Sequence, residues 1–372
     1  MLFTSTKNNL VNALHMVSGL AGGKSAHLPI LNNILIRAQT GGVKLIATNL
    51  EIGISTTLRG KVDSEGEFTI PSKTFVDFIN TLPEENVKIE QSGTSLSIVS
   101  KTQRGKLRGV APEDFPLIPS IEKGKTTTIT LPNLIEGLED VIPSIAVNET
   151  RPEISGCLFW FNGNELTLVG TDSFRLAEKK IELKKDAHTG KKIIVPLKTI
   201  QEVLKIANHT LKNIEDAGDV QISLTENQIL FIIGPTEVTS RLIEGTYPDY
   251  RQIIPEKVTY EAIISRDEFI RAVKSASIFS EINIFDVMLK SKGDVLTVFS
   301  SSSQSGEGEA EVSAKITGGD FTLVLNGRYL TDGLLSIGSN DISFGVTSHE
   351  TPCVLKPHGA DNYLYIIMPI RQ

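Results

Sequence analysis

Cysteine, tryptophan and histidine are scarce in this chain of 372 residues, with two, one and six copies. Cys157 and Cys353 lie alone in apolar, strand-like segments. We therefore expect buried core thiols in a reducing compartment and no disulfide. The histidines are scattered without the spacing of metal ligands, so we expect no metal and no cofactor.

Long apolar runs and an excess of basic residues are also absent. No stretch approaches the roughly 18 apolar residues of a membrane span. The first residues, MLFTSTKNN, lack the basic and apolar regions of a signal peptide. These absences predict a cytoplasmic protein that does not associate with membranes. The net charge of −7 excludes the overall basic character typical of nucleic-acid-binding domains.

Sequence motifs of common catalytic sites are missing as well. G-x-S-x-G, H-E-x-x-H and C-x-x-C do not occur. The stretch GLAGGKS suggests a phosphate-binding loop, but Ser18 occupies the position of the required first glycine. It also follows a helical pattern and precedes a strand-like one, the reverse of that motif. We expect a helix-to-strand connection there, and a protein that is not an enzyme.

Three consecutive segments repeat one order of elements. Each begins with a strand and a helix, in the stretches NNLVNALHMVSGL, PNLIEGLEDVIPSI and RDEFIRAVKSASIF. Each carries a second helix at its middle, in PSKTFVDFINTLP, PLKTIQEVLKIAN and NGRYLTDGLLSIG. The first two segments close on an acidic-aromatic corner that ends at Pro119 and Pro255. The sequence therefore predicts three domains, at residues 1–122, 123–254 and 255–372.

Strands with alternating apolar residues connect these helices, as in VKLIATNLEIGIS and VQISLTENQILFI. Two helices and many strands per repeat predict an α+β fold with antiparallel sheets outside a helical layer. Each repeat is long enough to bury a core of its own.

Five motifs, in order along the chain, resemble the bacterial DNA polymerase III beta subunit family, the sliding clamps. They are LPILNNILI, ATNLEI, GTDSFRLA, EGTYPDYRQIIP and YIIMPIR. The resemblance covers the whole chain and implies three tandem repeats of the DNA-clamp fold in a ring-shaped homodimer. Two helices of each repeat would face the hole. Such a ring encircles double-stranded DNA without sequence preference and holds the polymerase on its template.

The resemblance also implies partners and DNA contacts. The partners would be the DNA polymerase III catalytic subunit, the clamp loader, and other DNA polymerases and repair proteins. A ring is held on DNA by topology, so a few cations on the helices suffice despite the acidic net charge. Loop contacts would come from Lys24, Asn148 and Arg151. Further candidates lie in or beside the predicted helices. They are Lys198, Lys205, Arg266 and Arg271, and also Lys7, Lys73, Lys212, Lys274 and Arg328.

A pocket for short linear peptides is implied at the junction of the second and third repeats. Its apolar lining would come from Leu176, Ile253, Val354, Ile367 and Met368. Arg175 and Arg371 at its rim would hold backbone carbonyls or an acidic residue. Ser173 and Phe174 replace the Gly-His frequent in the family, so peptide preference is open. The full set is Ile154, Thr171, Ser173, Phe174, Arg175, Leu176, Pro248, Gln252, Ile253, Val354, Ile366, Ile367, Met368, Pro369, Ile370 and Arg371.

The resemblance also implies a homodimer contact between Leu107 of one chain and Ile278 and Phe279 of the other.

From the residues alone, two further functions are open. One is a metabolic enzyme with a cleft between repeats, which a small molecule would stabilise. The other is a scaffold of three β-rich domains without a DNA role, which would neither load onto DNA nor assist a polymerase.

Overall fold

The structure is a computed structural model, and it describes residues 1–22, 28–116, 121, 124–147, 150–215, 218–281 and 284–371. These residues form six α-helices and 25 β-strands. The helices are α1 (Lys7–Ser18), α2 (Ser72–Thr81), α3 (Leu131–Val141), α4 (Leu197–Asn213), α5 (Arg266–Ser277) and α6 (Gly327–Leu335).

The strands occur in three groups that follow the predicted repeats. The first holds β1 (Leu2–Thr6), β2 (Asn33–Gln39), β3 (Gly42–Thr48), β4 (Ile52–Leu58), β5 (Lys61–Ser64), β6 (Gly66–Pro71), β7 (Asn86–Ser92), β8 (Ser95–Val99) and β9 (Arg104–Arg108). The second holds β10 (Thr126–Thr130), β11 (Gly156–Asn162), β12 (Glu165–Thr171), β13 (Arg175–Glu182), β14 (Lys192–Pro196), β15 (Asp219–Leu224), β16 (Gln228–Ile233) and β17 (Thr236–Arg241). The third holds β18 (Tyr260–Ser265), β19 (Asp286–Lys292), β20 (Val295–Ser302), β21 (Gly306–Thr317), β22 (Thr322–Asn326), β23 (Asp341–Val346), β24 (Cys353–Pro357) and β25 (Tyr363–Ile367).

Antiparallel pairing joins these strands into three sheets. One has five strands in the order β5-β1-β7-β8-β9, and one has eight in the order β10-β15-β16-β17-β4-β3-β2-β6. The third has twelve, in the order β14-β11-β12-β13-β25-β24-β23-β18-β21-β20-β19-β22. The second predicted repeat therefore shares one sheet with the first, through β17 and β4. It shares another with the third, through β13 and β25.

Chain contacts group the molecule into two compact units. One unit comprises residues 1–132, 184–188 and 201–242. The other comprises residues 133–183, 189–200 and 243–372. The predicted domain boundaries after residues 122 and 254 stay a prediction.

The helices begin and pack as their apolar spacing predicts. The Thr6 hydroxyl accepts a hydrogen bond from the Asn9 amide at 3.2 Å and so caps α1. Leu10, Leu14 and Val17, spaced three and four residues apart, are all buried. None of the helices in the described parts of the chain has the length and apolar character that a membrane crossing requires.

Two local expectations have different outcomes. The strand-like pattern that follows GLAGGKS is the stretch LPILNNILIRA, and the strand expected there begins later than the pattern does. Pro29–Asn32 form a 3-10 turn, and the strand begins at Asn33. Proline lacks the amide that a strand ladder needs. The prediction of core thiols is confirmed, because Cys157 and Cys353 are free and buried. Burial raises the pKa of both thiols, that of Cys353 to about 12.

Candidate functional site

The hairpin between β12 and β13 ends in a tightly bonded turn. The Thr171 hydroxyl donates to the Arg175 carbonyl at 2.7 Å and accepts from the Ser173 amide at 3.2 Å. The Asp172 carboxylate accepts from the Phe174 and Arg175 amides at 2.9 and 3.0 Å. Ser173 has a left-handed φ of 78°. The turn therefore holds Phe174 outward, with 61% of its surface exposed.

The hairpin between β3 and β4 ends in the same turn, bond for bond. The Thr48 hydroxyl donates to the Ile52 carbonyl at 2.9 Å and accepts from the Leu50 amide at 3.1 Å. The Asn49 side chain accepts from the Glu51 and Ile52 amides at 3.1 and 2.7 Å. Leu50 has a φ of 77°. This identity supports the internal repeat at the level of single hydrogen bonds.

Each turn is followed by the same contact with a strand that lies farther along the chain. The Met368 amide donates to the Phe174 carbonyl at 2.9 Å, and the Arg241 amide donates to the Glu51 carbonyl at 3.0 Å. Strand β25 ends at Ile367, one residue before the Met-Pro sequence of the tail. The tail keeps backbone contacts beyond the strand, because the Ile370 amide donates to the Val324 carbonyl at 2.8 Å.

The apolar side of the candidate pocket rests on a buried cluster built across three strands. Leu176 on β13 pairs with Ile366 on β25, which pairs with Val354 on β24. Ile367 pairs with Arg175 instead and lies on the opposite face of the sheet. The expectation that Ile367 lines the same apolar surface as Leu176 is therefore corrected in favour of Ile366. The buried cluster on this face contains Leu158, Val169, Leu176, Ile194, Tyr247, Tyr250, Val354, Leu364 and Ile366.

Arg175 already has partners within its own chain. Its guanidinium forms ion pairs with Asp172 at 3.0 Å and with Asp332 at 2.5 Å. It also lies over the Tyr329 ring, 4.3 Å from the centroid. Within the chain, the side chain ties the β12–β13 turn to α6. Its predicted role at the rim, holding backbone carbonyls or an acidic residue of a peptide, stays a prediction.

The remaining residues of the predicted pocket differ in exposure. Gln252 donates to the Asp249 carboxylate at 2.8 Å, within the 3-10 turn region at Tyr250–Ile253. Those buried are Ile154 and Thr171, those half-buried are Pro248, Met368, Pro369 and Ile370, and those exposed are Ser173, Gln252, Ile253 and Arg371.

The predicted DNA-contacting cations fall into two groups, exposed and paired. Lys7 pairs with Glu84, Lys205 with Glu202, and Arg266 with Asp267. The exposed ones are Lys73, Lys198, Lys212, Arg271, Lys274 and Arg328.

The predicted loop contacts are described only in part. Lys24 and Asn148 lie outside the described residues. Arg151 is exposed and donates to the Ser173 hydroxyl at 3.0 Å, so it touches the turn of the candidate pocket. It also pairs with Glu153 at 3.2 Å.

The predicted dimer residues lie at a helix end and on a sheet edge. Ile278, just after α5, is 70% exposed, which excludes a position in the domain core. The half-buried Phe279 ring covers Gly308 on β21, where an added Cβ would lie 2.2 Å from the ring. Leu107 is half-buried on β9, an edge strand of the five-stranded sheet.

Two edge segments carry alternating charges that the sequence motifs above do not include. On β9 the exposed residues Arg104, Lys106 and Arg108 alternate with half-buried ones. On β21 the glutamates at positions 307, 309 and 311 are exposed in the same alternation. Period-2 patterns of opposite sign, R-x-K-x-R and E-x-E-x-E, were the signal available in the sequence.

Within the described ranges, no group of three or more histidine, cysteine, aspartate or glutamate side chains is placed to hold a metal ion.

The fold and the candidate site together define the DNA-clamp class of protein. The features are two helices in each repeat, antiparallel sheets that continue from one repeat to the next, and a duplicated hairpin turn. The chain belongs to the DNA polymerase III beta subunit family. Family models match its N-terminal domain at residues 1–119, central domain at 128–249 and C-terminal domain at 251–371.

Individual relatives agree with this membership. The chain is 31% identical over 355 residues to a beta sliding clamp of Staphylococcus aureus, covering 92% of each sequence. The solved DNA polymerase sliding clamp of Bacillus subtilis superimposes with a TM-score of 0.93 at 25% identity, over 100% of this chain and 99% of that one. The DNA polymerase III beta subunit of Thermotoga maritima superimposes with a TM-score of 0.92 at 25% identity, with the same coverage.

Proposed function

We propose that this protein is a DNA polymerase processivity factor, a sliding clamp that encircles duplex DNA and holds a polymerase on its template. The observation that carries the proposal is the match of all three beta subunit domains, in order, at residues 1–119, 128–249 and 251–371. A clamp needs no catalytic group, because its contribution is to keep the polymerase near the primer end.

The ring would close by head-to-tail contact of two chains. Strand β9 is the edge strand of the five-stranded sheet. Residues 306–313 of β21 pair with β20 on one side, and the pairing of β21 with β18 on the other side begins only at residue 314. Among the described residues, this first part of β21 is therefore also a sheet edge. Antiparallel addition of β9 to the partner's β21 would extend both sheets and set basic side chains opposite acidic ones. Leu107 would then approach Ile278 and Phe279 of the partner subunit. This contact buries the apolar residues that a free sheet edge leaves exposed.

Sequence-independent contact with DNA would use the exposed helix cations. Lys198 and Arg271 are the most direct candidates, since no carboxylate of the described residues forms an ion pair with either. Lys205 and Arg266 would contribute less because each is paired within its own helix. Arg151, together with Lys24 and Asn148, would contact phosphate as the duplex leaves the ring.

Partner peptides would bind beside the buried cluster of Leu176, Val354 and Ile366, against the exposed Phe174 and the half-buried tail from Met368 onward. The turn at Ser173 and Phe174 borders this surface, and the exposed Phe174 ring offers apolar area to a ligand. The polymerase, the clamp loader and repair proteins would share this one site through short linear motifs.

Primer extension tests the function. With the cognate polymerase, clamp loader and ATP, adding this protein should lengthen the DNA made in a single polymerase encounter. The scaffold alternative predicts no lengthening. The metabolic-enzyme alternative predicts that a small molecule raises the melting temperature instead.

A further inference from the structure

The one tryptophan of the sequence, Trp160, lies between two cationic side chains and the candidate peptide surface. The Lys192 ammonium is 4.3 Å from the centre of its ring, and the Arg251 guanidinium carbon is 4.2 Å from it. Trp160 pairs with Lys192 across β11 and β14, so the strand register fixes the first contact. Arg251 arrives from the 3-10 turn at Tyr250–Ile253.

This group is continuous with the surface proposed to bind peptides. Trp160 follows Leu158 by two residues on β11, so both side chains are on one face of the sheet. The indole packs against the buried cluster that contains Leu176, Val354 and Ile366. Arg251 precedes Gln252 and Ile253, two residues of the predicted pocket, in the same short turn.

The two cations lack a carboxylate partner in the part of the chain that the structure describes. Both side chains are exposed, and neither forms an ion pair with a described aspartate or glutamate. Glu178, buried nearby, accepts instead from the Tyr250 hydroxyl at 2.5 Å. Two like charges held against one ring are at most about a Debye length apart, so they repel each other and favour an incoming anion. Stacking on the indole orients the guanidinium while its N–H groups stay available.

We propose that Lys192, Trp160 and Arg251 form an anionic-residue subsite of the peptide-binding surface. It would bind an aspartate or glutamate that flanks the apolar anchor residues of a partner peptide. The inference rests on the proposed function, because the partner must already lie beside the cluster that contains Leu176 and Val354. A peptide fits better than nucleic acid here because the indole extends an apolar surface, while DNA phosphates require only the cations.

Labelled peptides that begin Gln-Leu and end Leu-Phe provide the probe, measured by fluorescence anisotropy on the full-length protein. Two pairs of peptides are compared, and the members of a pair differ only in carrying two aspartates or two asparagines. These residues precede the glutamine in the first pair and follow the phenylalanine in the second. We expect the aspartate form of one pair to bind about three- to tenfold more tightly than its asparagine form. This advantage should shrink as salt is raised, because the cations are exposed. Trp160 emission should change on binding, and it reports this site alone because the sequence has one tryptophan.

The variant Lys192→Gln with Arg251→Gln should abolish the aspartate advantage and leave the asparagine peptides bound as before. Lys290→Gln, which removes an exposed lysine from β19, is the matched control and should retain the full advantage. Equal affinity of both forms in both pairs, or an advantage that persists in the double variant, would overturn the subsite alone. Binding of no peptide would overturn the peptide surface and the subsite together. A Trp160 response to duplex DNA and to no peptide would assign these cations to DNA.

Discussion

Leu50 and Ser173 occupy the same position of two identical turns, and both adopt a left-handed backbone conformation, with φ of 77° and 78°. Such a conformation costs a residue with a Cβ on the order of 1 kcal/mol or more. Each turn is nevertheless retained by four side-chain hydrogen bonds that fix the strand ends. At Ser173 these hydrogen bonds fix the strained conformation that leaves Phe174 exposed.

Leu50→Gly should therefore raise the free energy of unfolding by about 0.5–1 kcal/mol, because glycine adopts this φ without strain. The measurement is the shift of the urea unfolding midpoint. Leu50→Ala keeps the Cβ and its strain, so it serves as the control and should give no gain. A gain for alanine equal to that for glycine would mean that the exposed leucine side chain, not the backbone, is the cause.

A second residue-scale prediction concerns pH. His15 on α1 and His209 on α4 stack with ring centroids 4.5 Å apart. Burial and the nearby Lys205 ammonium lower the pKa of both imidazoles, and His15 lowers that of His209 further. The unfolded chain therefore binds more protons than the folded one just below pH 6.5, so stability falls as the pH falls through this window.

His15→Gln with His209→Gln should flatten the dependence of the melting temperature on pH between about 7.5 and 5.5. His349→Gln is the matched control for the loss of a histidine, since the His349 side chain is 75% exposed. Equal slopes in all three proteins would contradict a role of the stacked pair.

At the scale of elements, the sequence predicted the order and type of segments but not how they meet. Strand alternation and helix spacing gave each repeat its strand, first helix and middle helix, because these patterns are local. Which of Ile366 and Ile367 shares a face with Leu176 depends on the register of β25 against β13, and alternation alone does not give that register. The ion pair of Arg175 with Asp332 joins residues 157 positions apart, and no local pattern encodes such a contact.

The edge strands β9 and β21 carry the next prediction. Arg104→Glu with Lys106→Glu should convert the dimer to folded monomers, because like charges would face each other across the proposed contact. Glu309→Lys with Glu311→Lys should do the same. A mixture of the two variants should form a dimer again, because both contacts of the mixed pair then set basic side chains against acidic ones. The measurement is light scattering at micromolar concentration. A dimer in either variant alone would place the interface elsewhere.

The C-terminal tail carries a third element-scale prediction. Deletion of residues 368–372 removes the Met368 amide that donates to Phe174 and the edge of the candidate peptide surface. A peptide that begins Gln-Leu and ends Leu-Phe should bind the intact protein with micromolar affinity and the truncated protein at least tenfold more weakly. Ile278→Ala, which changes an exposed residue distant in the sequence, should leave peptide affinity unchanged. Equal binding to the truncated protein would exclude the tail from the site.

At the scale of the whole molecule, an acidic protein with net charge −7 is proposed to act on DNA. A groove-binding protein gains its affinity by neutralising phosphates and loses it steeply as salt rises. A closed ring is retained by topology, so weak contacts from a few exposed cations are compatible with both retention and sliding. The central claim therefore predicts a salt response unlike that of ordinary DNA-binding proteins.

The most direct measurement is retention on DNA before and after the circle is cut. The protein is loaded onto nicked circular DNA by the cognate clamp loader and ATP, and bound protein is separated from free protein by gel filtration in high salt. We predict that it stays with the circular DNA in high salt and is lost once a restriction enzyme linearises the DNA. Loss from the circle in high salt, or equal retention on circular and linear DNA, would contradict the account.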